Sequence, residues 1–334
     1  MSNPIKYSVL DLATVIEGDS YTQTFEKSVL VAQAAETFGY ERYWFSEHHN
    51  MPSVISAATS LLIGHIAQQT KSIRVGSGGI MLPNHTPLSI AEQFGTLDAM
   101  FPNRIDLGLG RAPGTDPLTA SVLRRGDENF NYNFEYHIQE LLRYFSKENE
   151  NAKVRAFPGE GANVPLYILG SSTDSAFLAA KLGMPYAFAG HFAPAQFKQA
   201  MEIYQSRFTP SKFLDKPHSM LCVNIFAADS EDEAQYLSLS HFQAIMNLLL
   251  DQRAPLVHPD KTNLEDMNEM LYARVMQMTA LSFIGTKEIL QEKIKTLVDD
   301  LNLNEIMVYS NIYDFEAKLN SYKITSEVFQ ELNA

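Results

Sequence analysis

Ser46-Glu47-His48-His49 closes a short apolar run, and it is the first place where this chain could do chemistry. An imidazole titrates near neutrality, so a ring facing a cavity could move protons; a hydrogen-bonded structural histidine is the other reading. Neighbouring side chains on an extended segment point to opposite sides, so one ring of the pair faces any given cavity. The same geometry speaks against zinc: the HExxH spacing is absent and no third ligand stands nearby, so no metal is expected.

Gly170-Ser171-Ser172-Thr173-Asp174-Ser175 opens a helical pattern. Unpaired N–H groups and hydroxyls at such a start hold a phosphate or simply cap the helix. Arg111, just after Gly110, could pair with a phosphate or form a salt bridge at the rim of the fold. Gly108-Leu-Gly110-Arg-Ala-Pro-Gly114 has GxGxxxG spacing, Pro113 breaks the expected helix start, and no acidic residue follows at the fingerprint distance, so a dinucleotide loop is rejected. Gly76-Ser-Gly78-Gly79 lacks the Lys-Ser/Thr of a P-loop; such glycines instead permit unusual backbone geometry or close approach of a ligand. There is no GxSxG elbow, and Glu92, Asp98 and Asp106 read as rim salt bridges rather than a glycosidase pair.

Something must bring these clusters together. Residues 5–10, 42–45, 73–78, 105–109, 166–169, 186–189, 220–228 and 306–309 read as eight strands. Helical patterns alternate with them at 24–38, 54–69, 87–100, 134–145, 173–182, 194–207, from 228 through 250, 286–301 and the C-terminus. Eight strands each followed by a helix predict a single α/β domain, a (β/α)8 TIM barrel, with a doubly wound sheet as the structural competitor. Insertions are expected near 112–133, 146–164 and 251–280. Barrel sites form at the C-terminal strand ends, and the strands deliver Glu47 to Asn50, Gly78-Gly79 with Asn84-His85 beyond, Gly110-Arg111, Gly170-Ser171-Ser172, Gly190-His191 and Ser310-Asn311 there. That convergence suits a flat polar ligand across the barrel mouth.

With 334 residues and a net charge of −13, the chain is a poor match for nucleic acid, whose phosphates need Lys and Arg. No apolar run approaches a membrane span, and the first residues do not read as a signal peptide. The single cysteine, Cys222, lies in an apolar run, where a buried structural thiol is favoured over a nucleophile. These features suggest a cytoplasmic protein.

Taken in order, Ser46-Glu47-His48-His49, Val75-Gly-Ser-Gly-Gly-Ile-Met-Leu-Pro83, Ala91-Glu92-Gln93-Phe94, Asn103 to Arg111, Ile168-Leu-Gly-Ser-Ser172 and Pro185 to Pro194 resemble the bacterial-luciferase-like flavin-dependent monooxygenases, in particular a branch of stand-alone luciferase-like oxidoreductases. The resemblance covers nearly the whole chain. It implies that FMN, reduced by a separate flavin reductase, reacts with O2 to a C4a-(hydro)peroxide that oxygenates a small organic substrate. It implies His48 as the catalytic proton-transfer residue, with His49 or His85 lining the site. It sets Gly78 and Gly79 at a non-prolyl cis peptide under the flavin ring, Arg111 at the flavin phosphate, and Gly170, Ser171, Ser172 and Ser175 on the phosphate-binding turn. Two departures stand out: Ser171 replaces a glutamate of luciferase, and the arginine that relatives carry near the fourth helix is missing from Asn133-Phe-Glu-Tyr-His137, leaving Arg124 or Arg125 to compensate. The resemblance also implies a homodimer packed through the small residues of 54–69, and loops 112–133 and 251–275 shaping the substrate pocket. The rival readings are an F420-dependent reductase of the same fold and a non-catalytic flavin-binding barrel.

Overall fold

The computed structural model describes residues 4–124 and 132–334. In chain order the first half holds β1 (Lys6–Asp11), α1 (Tyr21–Thr37), β2 (Arg42–Phe45), α2 (Thr59–Gln69), β3 (Arg74–Met81), α3 (Pro87–Met100), β4 (Ile105–Gly110), α4 (Pro117–Leu123) and α5 (Phe134–Phe145). The second half holds β5 (Leu166–Gly170), α6 (Thr173–Leu182), β6 (Tyr186–Phe188), α7 (Phe197–Arg207), β7 (Ser219–Ala227), α8 (Glu231–Leu249), α9 (Glu269–Met278), β8 (Ser282–Gly285), α10 (Lys287–Leu301), β9 (Glu305–Tyr309) and α11 (Phe315–Leu332).

The strands are all parallel, in the order β6-β5-β4-β3-β2-β1-β9-β7, and β6 pairs β7 to close the ring. That closure makes the fold a (β/α)8 barrel and removes the doubly wound alternative. The barrel has the eight strands expected, and among the described residues one further strand, β8, is added outside the ring. The short β8 pairs with Asn224 to Ala227 of β7, beyond the point where β6 stops at Leu221. Four residues reading Ser-Phe-Ile-Gly carry too little pattern to be recognised as a strand.

Several boundaries also shift. The helix read as 54–69 begins at Thr59, because Val54 is drawn into an antiparallel bridge with Thr14. Ser20 and Gln23 form a reciprocal capping box, which starts α1 at Tyr21 rather than at 24. The third strand runs on past Gly78 to Met81.

Alternate strand residues face inward and outward. Outward residues such as Val9, Tyr43, Phe45, Val75 and Leu107 pack against the helices in the main core. Inward residues Leu10, Trp44, Tyr167, Met220, Met307 and Tyr309 fill the barrel itself. Below them lies a buried charge network. The Arg42 guanidinium meets Glu305 and Asp106 at 2.7 Å each and donates to the Tyr167 hydroxyl at 2.9 Å. Asp106 also accepts from Arg74 and from the Trp44 indole. Asp106 is thus a fully buried barrel-core group, not a rim salt bridge. Its residue type is satisfied there because every carboxylate oxygen finds a donor.

Candidate active site

A cavity of about 660 Å³ opens at the C-terminal ends of the strands. That is within the size range of small-molecule sites. His48, Gly78, Gly79, Arg111, Gly170, Ser171, Ser172 and Ser175 all line it, so the barrel brings these eight expected site residues to one cavity. The wall is chiefly apolar, with Leu10, Leu12, Met81, Leu169, Ile245 and Leu256 among its members.

Its floor is shaped by an irregular strand. The Gly78-Gly79 peptide is cis, and the register between β3 and β4 slips there: Ser77 pairs Leu107, and the next pair is Ile80 with Leu109. One residue is extra on β3, as in a β-bulge. A Cβ at Gly79 would stand 2.3 Å from Leu169 Cδ1 and 2.6 Å from the Gly108 carbonyl oxygen, so only glycine fits.

The β2 end supplies two different carboxylate and imidazole environments. Glu47 is 1% exposed. It accepts from His49 Nε2 at 2.8 Å, His85 Nε2, Asn84 Nδ2 and the Met81 N–H. Burial alone would raise this carboxyl, but those hydrogen bonds from His49, His85 and Asn84 hold it down at about 2. It is a fixed anion that braces the loops under the cavity. His48 points the other way, with Nδ1 3.1 Å from Ser46 Oγ. Desolvation lowers its ring to about 4 against the opposing pull of Glu47, so it is neutral near pH 7. A neutral imidazole with one nitrogen fixed by Ser46 can offer the other to a ligand as acceptor or donor.

At the β5 end, Ser172 is the N-cap residue of α6, yet its side chain makes no cap hydrogen bond. Ser172 therefore does not cap the helix with its side chain, which leaves the first N–H groups of α6 able to meet an anion at the cavity wall. Arg111 reaches the same turn, its guanidinium 3.8 Å from Asp174 in the first turn of α6. Ser175 is committed within the chain: its hydroxyl donates to the Ser172 carbonyl at 2.7 Å and lies 2.9 Å from the Tyr186 hydroxyl. Gly170 is required beneath it, since a Cβ there would fall 2.3 Å from Ser175 Cβ. An uncapped helix start, an arginine and a glycine floor fit a ligand with a phosphate and a flat ring.

Of the two histidines expected to line the site, His49 or His85, the cavity takes His49. His85 is not among the cavity residues, and the His49 ring, though at the wall, is spent on Glu47. Their partner Glu47 sits one residue before His48 on the segment that follows β2, and its side chain is not among the cavity residues. Arg124 does not line the cavity either, and Arg125 lies outside the described residues. Sequence reasoning missed His241 on α8, Arg253 beyond it and Tyr309 at the end of β9, and gave His191 no role; all four line the cavity. The sequence signal available for them was position alone, just past β6 for His191 and at the end of β9 for Tyr309. Among the described residues no cluster of three or more His, Cys, Asp or Glu side chains could hold a metal, and no helix is long and apolar enough to cross a membrane. Cys222 is buried inside the barrel, and burial pushes its thiol well up, as suits an inert packing residue.

Comparison with known proteins agrees with this geometry. Residues 5–301 match the luciferase-like monooxygenase family. A luciferase-like monooxygenase of Escherichia coli (strain K12) is 44% identical, over 98% of this chain and 98% of the relative. An N-acetyl-S-alkylcysteine monooxygenase of Bacillus subtilis (strain 168) is 31% identical, over 97% of this chain and 98% of that one. Among solved structures, apo-MsnO8 superposes with a TM-score of 0.86 at 29% identity, covering 98% of each chain. The chain belongs to the luciferase-like monooxygenase family.

Proposed function

We propose that the chain is the oxygenase component of a two-component monooxygenase: it takes up FMN already reduced by a separate flavin reductase and, with O2, oxygenates a small organic substrate in the cytoplasm. The observation that carries this reading is the convergence of His48, the cis Gly78-Gly79 floor, Arg111 and the uncapped start of α6 on one cavity. Bound reduced flavin supplies the electrons that activate oxygen. The chain supplies the rest. Arg111, the Ser171-Ser172 turn and the α6 N–H groups hold the phosphate. Gly78-Gly79 lets the flat ring approach the barrel floor. The apolar wall excludes water from the reacting centre. His48, neutral and held by Ser46, accepts or returns the proton that oxygen transfer requires.

Titration of the purified protein with oxidised FMN, photoreduced FMN and F420, followed by absorbance and fluorescence, tests this. Preferential binding of reduced FMN is the expected result. Binding of F420 alone, or of no flavin, would leave the fold and remove the oxygenase mechanism.

We further propose a homodimer packed through the neighbourhood of α2. Ser56 is buried and Gly64 packs on Leu97 of α3, so the dimer would use the outer face, where Leu61 is 74% exposed. A monomer by light scattering at micromolar concentration rejects it.

A further inference from the structure

Two further histidines stand at the cavity, His191 and His241. His191 follows β6, and its carbonyl oxygen is fixed by the Asn224 amide at 2.8 Å. His241 lies on α8 and is 2% exposed. Both rings line the cavity and stand edge-on to the same Tyr309 ring, at centroid distances of 5.6 Å and 6.0 Å. Neither ring nitrogen of His241, nor Nδ1 of His191, has a hydrogen-bond partner among the described residues. Buried polar atoms are almost always paired, so atoms left unpaired beside a ligand cavity call for a ligand group.

We propose that His191 and His241 receive the carboxylate of the substrate, and that the substrates are small acids with an apolar body. Calling the ligand a substrate rests on the monooxygenase reading. Each imidazole, when neutral, has one N–H to give, and two such donors match the two oxygens of a carboxylate. Desolvation first, and then neighbouring histidines, act on the His191 ring; desolvation acts on His241; no carboxylate stands among these influences to compete for the donors. The arginines that line the cavity among the described residues, Arg111 and Arg253, are engaged elsewhere. Arg111 lies at the α6 start, and Arg253 donates to the Asn50 carbonyl at 2.7 Å while paired with Asp116 and Asp251. A wholly apolar ligand would leave the buried nitrogens unpaired, and a cationic one would find no anion beside them. The body of the acid is matched by Ile245 and Leu248 on the same helix and by Leu256.

The probe is hexanoate, with hexan-1-ol as its control, added to full-length protein carrying 15N-labelled histidine, both alone and with photoreduced FMN. The expected result is saturable movement of the His191 and His241 ring signals by hexanoate, with hexan-1-ol bound about tenfold more weakly or worse. His241→Phe should lose about tenfold in hexanoate affinity, and His241→Gln, which keeps an N–H donor, should stay within about threefold. His191→Leu is the second variant, expected to lose as His241→Phe does. Equal binding of the alcohol and the acid, hexanoate affinity unchanged in both His241→Phe and His191→Leu, or no ring movement with or without flavin would overturn the proposal. Hexanoate binding without any binding of reduced FMN would keep the carboxylate site and reject the flavin reading; the reverse would reject the carboxylate site alone.

Discussion

Replacing Arg111 with alanine should weaken FMN and leave riboflavin almost untouched, because the two ligands differ only in the phosphate. A hydrogen bond to a charged group contributes about 1.5–3 kcal/mol. The Arg111 side chain is 57% exposed, so solvent screening takes the expectation to the lower part of that range. About 1–2 kcal/mol corresponds to roughly 5- to 30-fold in dissociation constant. Riboflavin should change by less than about twofold, the level of a surface substitution without a contact. Asp174 provides an internal control. Its carboxylate lies 3.8 Å from Arg111 in the first turn of α6, where it competes with a phosphate for both the guanidinium and the helix start. Asp174→Asn should therefore tighten FMN about two- to threefold. Fluorescence titration of photoreduced FMN and riboflavin against the wild type and both variants reads all of this. Equal weakening of FMN and riboflavin by Arg111→Ala would refute the phosphate assignment, since the loss would then lie at the ring or in the fold.

Three other perturbations follow from the same geometry. His48→Ala should cut product yield or coupled oxygen consumption more than it weakens reduced FMN, and equal losses would sink the proton-transfer role. Burial holds His48, His191 and His241 at about 4, 3 and 4, below an ordinary imidazole, so the unfolded chain binds more protons than the folded one beneath pH ~6.5. Stability should thus be full above about pH 6.5 and fall toward pH 4 with a limiting slope of about 1.4 kcal/mol per pH unit for each histidine, ahead of the loss of Glu47 and Glu305 below about pH 4.5. Urea midpoints that are flat from pH 7 to pH 5 would contradict this. Arg42→Ala takes from buried Glu305 its arginine partner, while Asp106 keeps Arg74 and the Trp44 indole, and should cost about 3–5 kcal/mol, read as a large drop in Tm or in soluble yield; a wild-type melting curve would show that the network is dispensable.

The barrel was readable because parallel strands are buried on both faces and so appear as nearly unbroken apolar runs between helices. Val75 to Met81 and Met220 to Ala227 are of this kind. What escaped was either too short, as Ser282–Gly285, or decided by a partner far along the chain, as when Thr14 pulls Val54 out of a helix. The charge network was visible only in fragments. Arg42, Asp106 and Glu305 each sit near the start of an apolar strand, which marks a buried polar residue, but the sequence cannot say that three strand starts meet.

The site divides along the same line. Gly78 and Gly79 stand in the C-terminal half of β3, Arg111 and the serine turn just past β4 and at the end of β5, and in a barrel that position brings them to one mouth. His241 stands mid-helix in a run that also buries Leu237 and Ile245, where a 3.6-residue pattern makes a histidine indistinguishable from core. Its unusual character comes from what surrounds it: Phe226 and Tyr309 pack their rings against it without pairing its nitrogens, and small residues such as Gly78, Gly170 and Ala189, toward or just past the C-terminal ends of their strands, line the cavity beside it. The strand ends could therefore announce where a cofactor lies, whereas the group that selects the substrate rides on a helix whose own sequence carries no mark of the opening it faces.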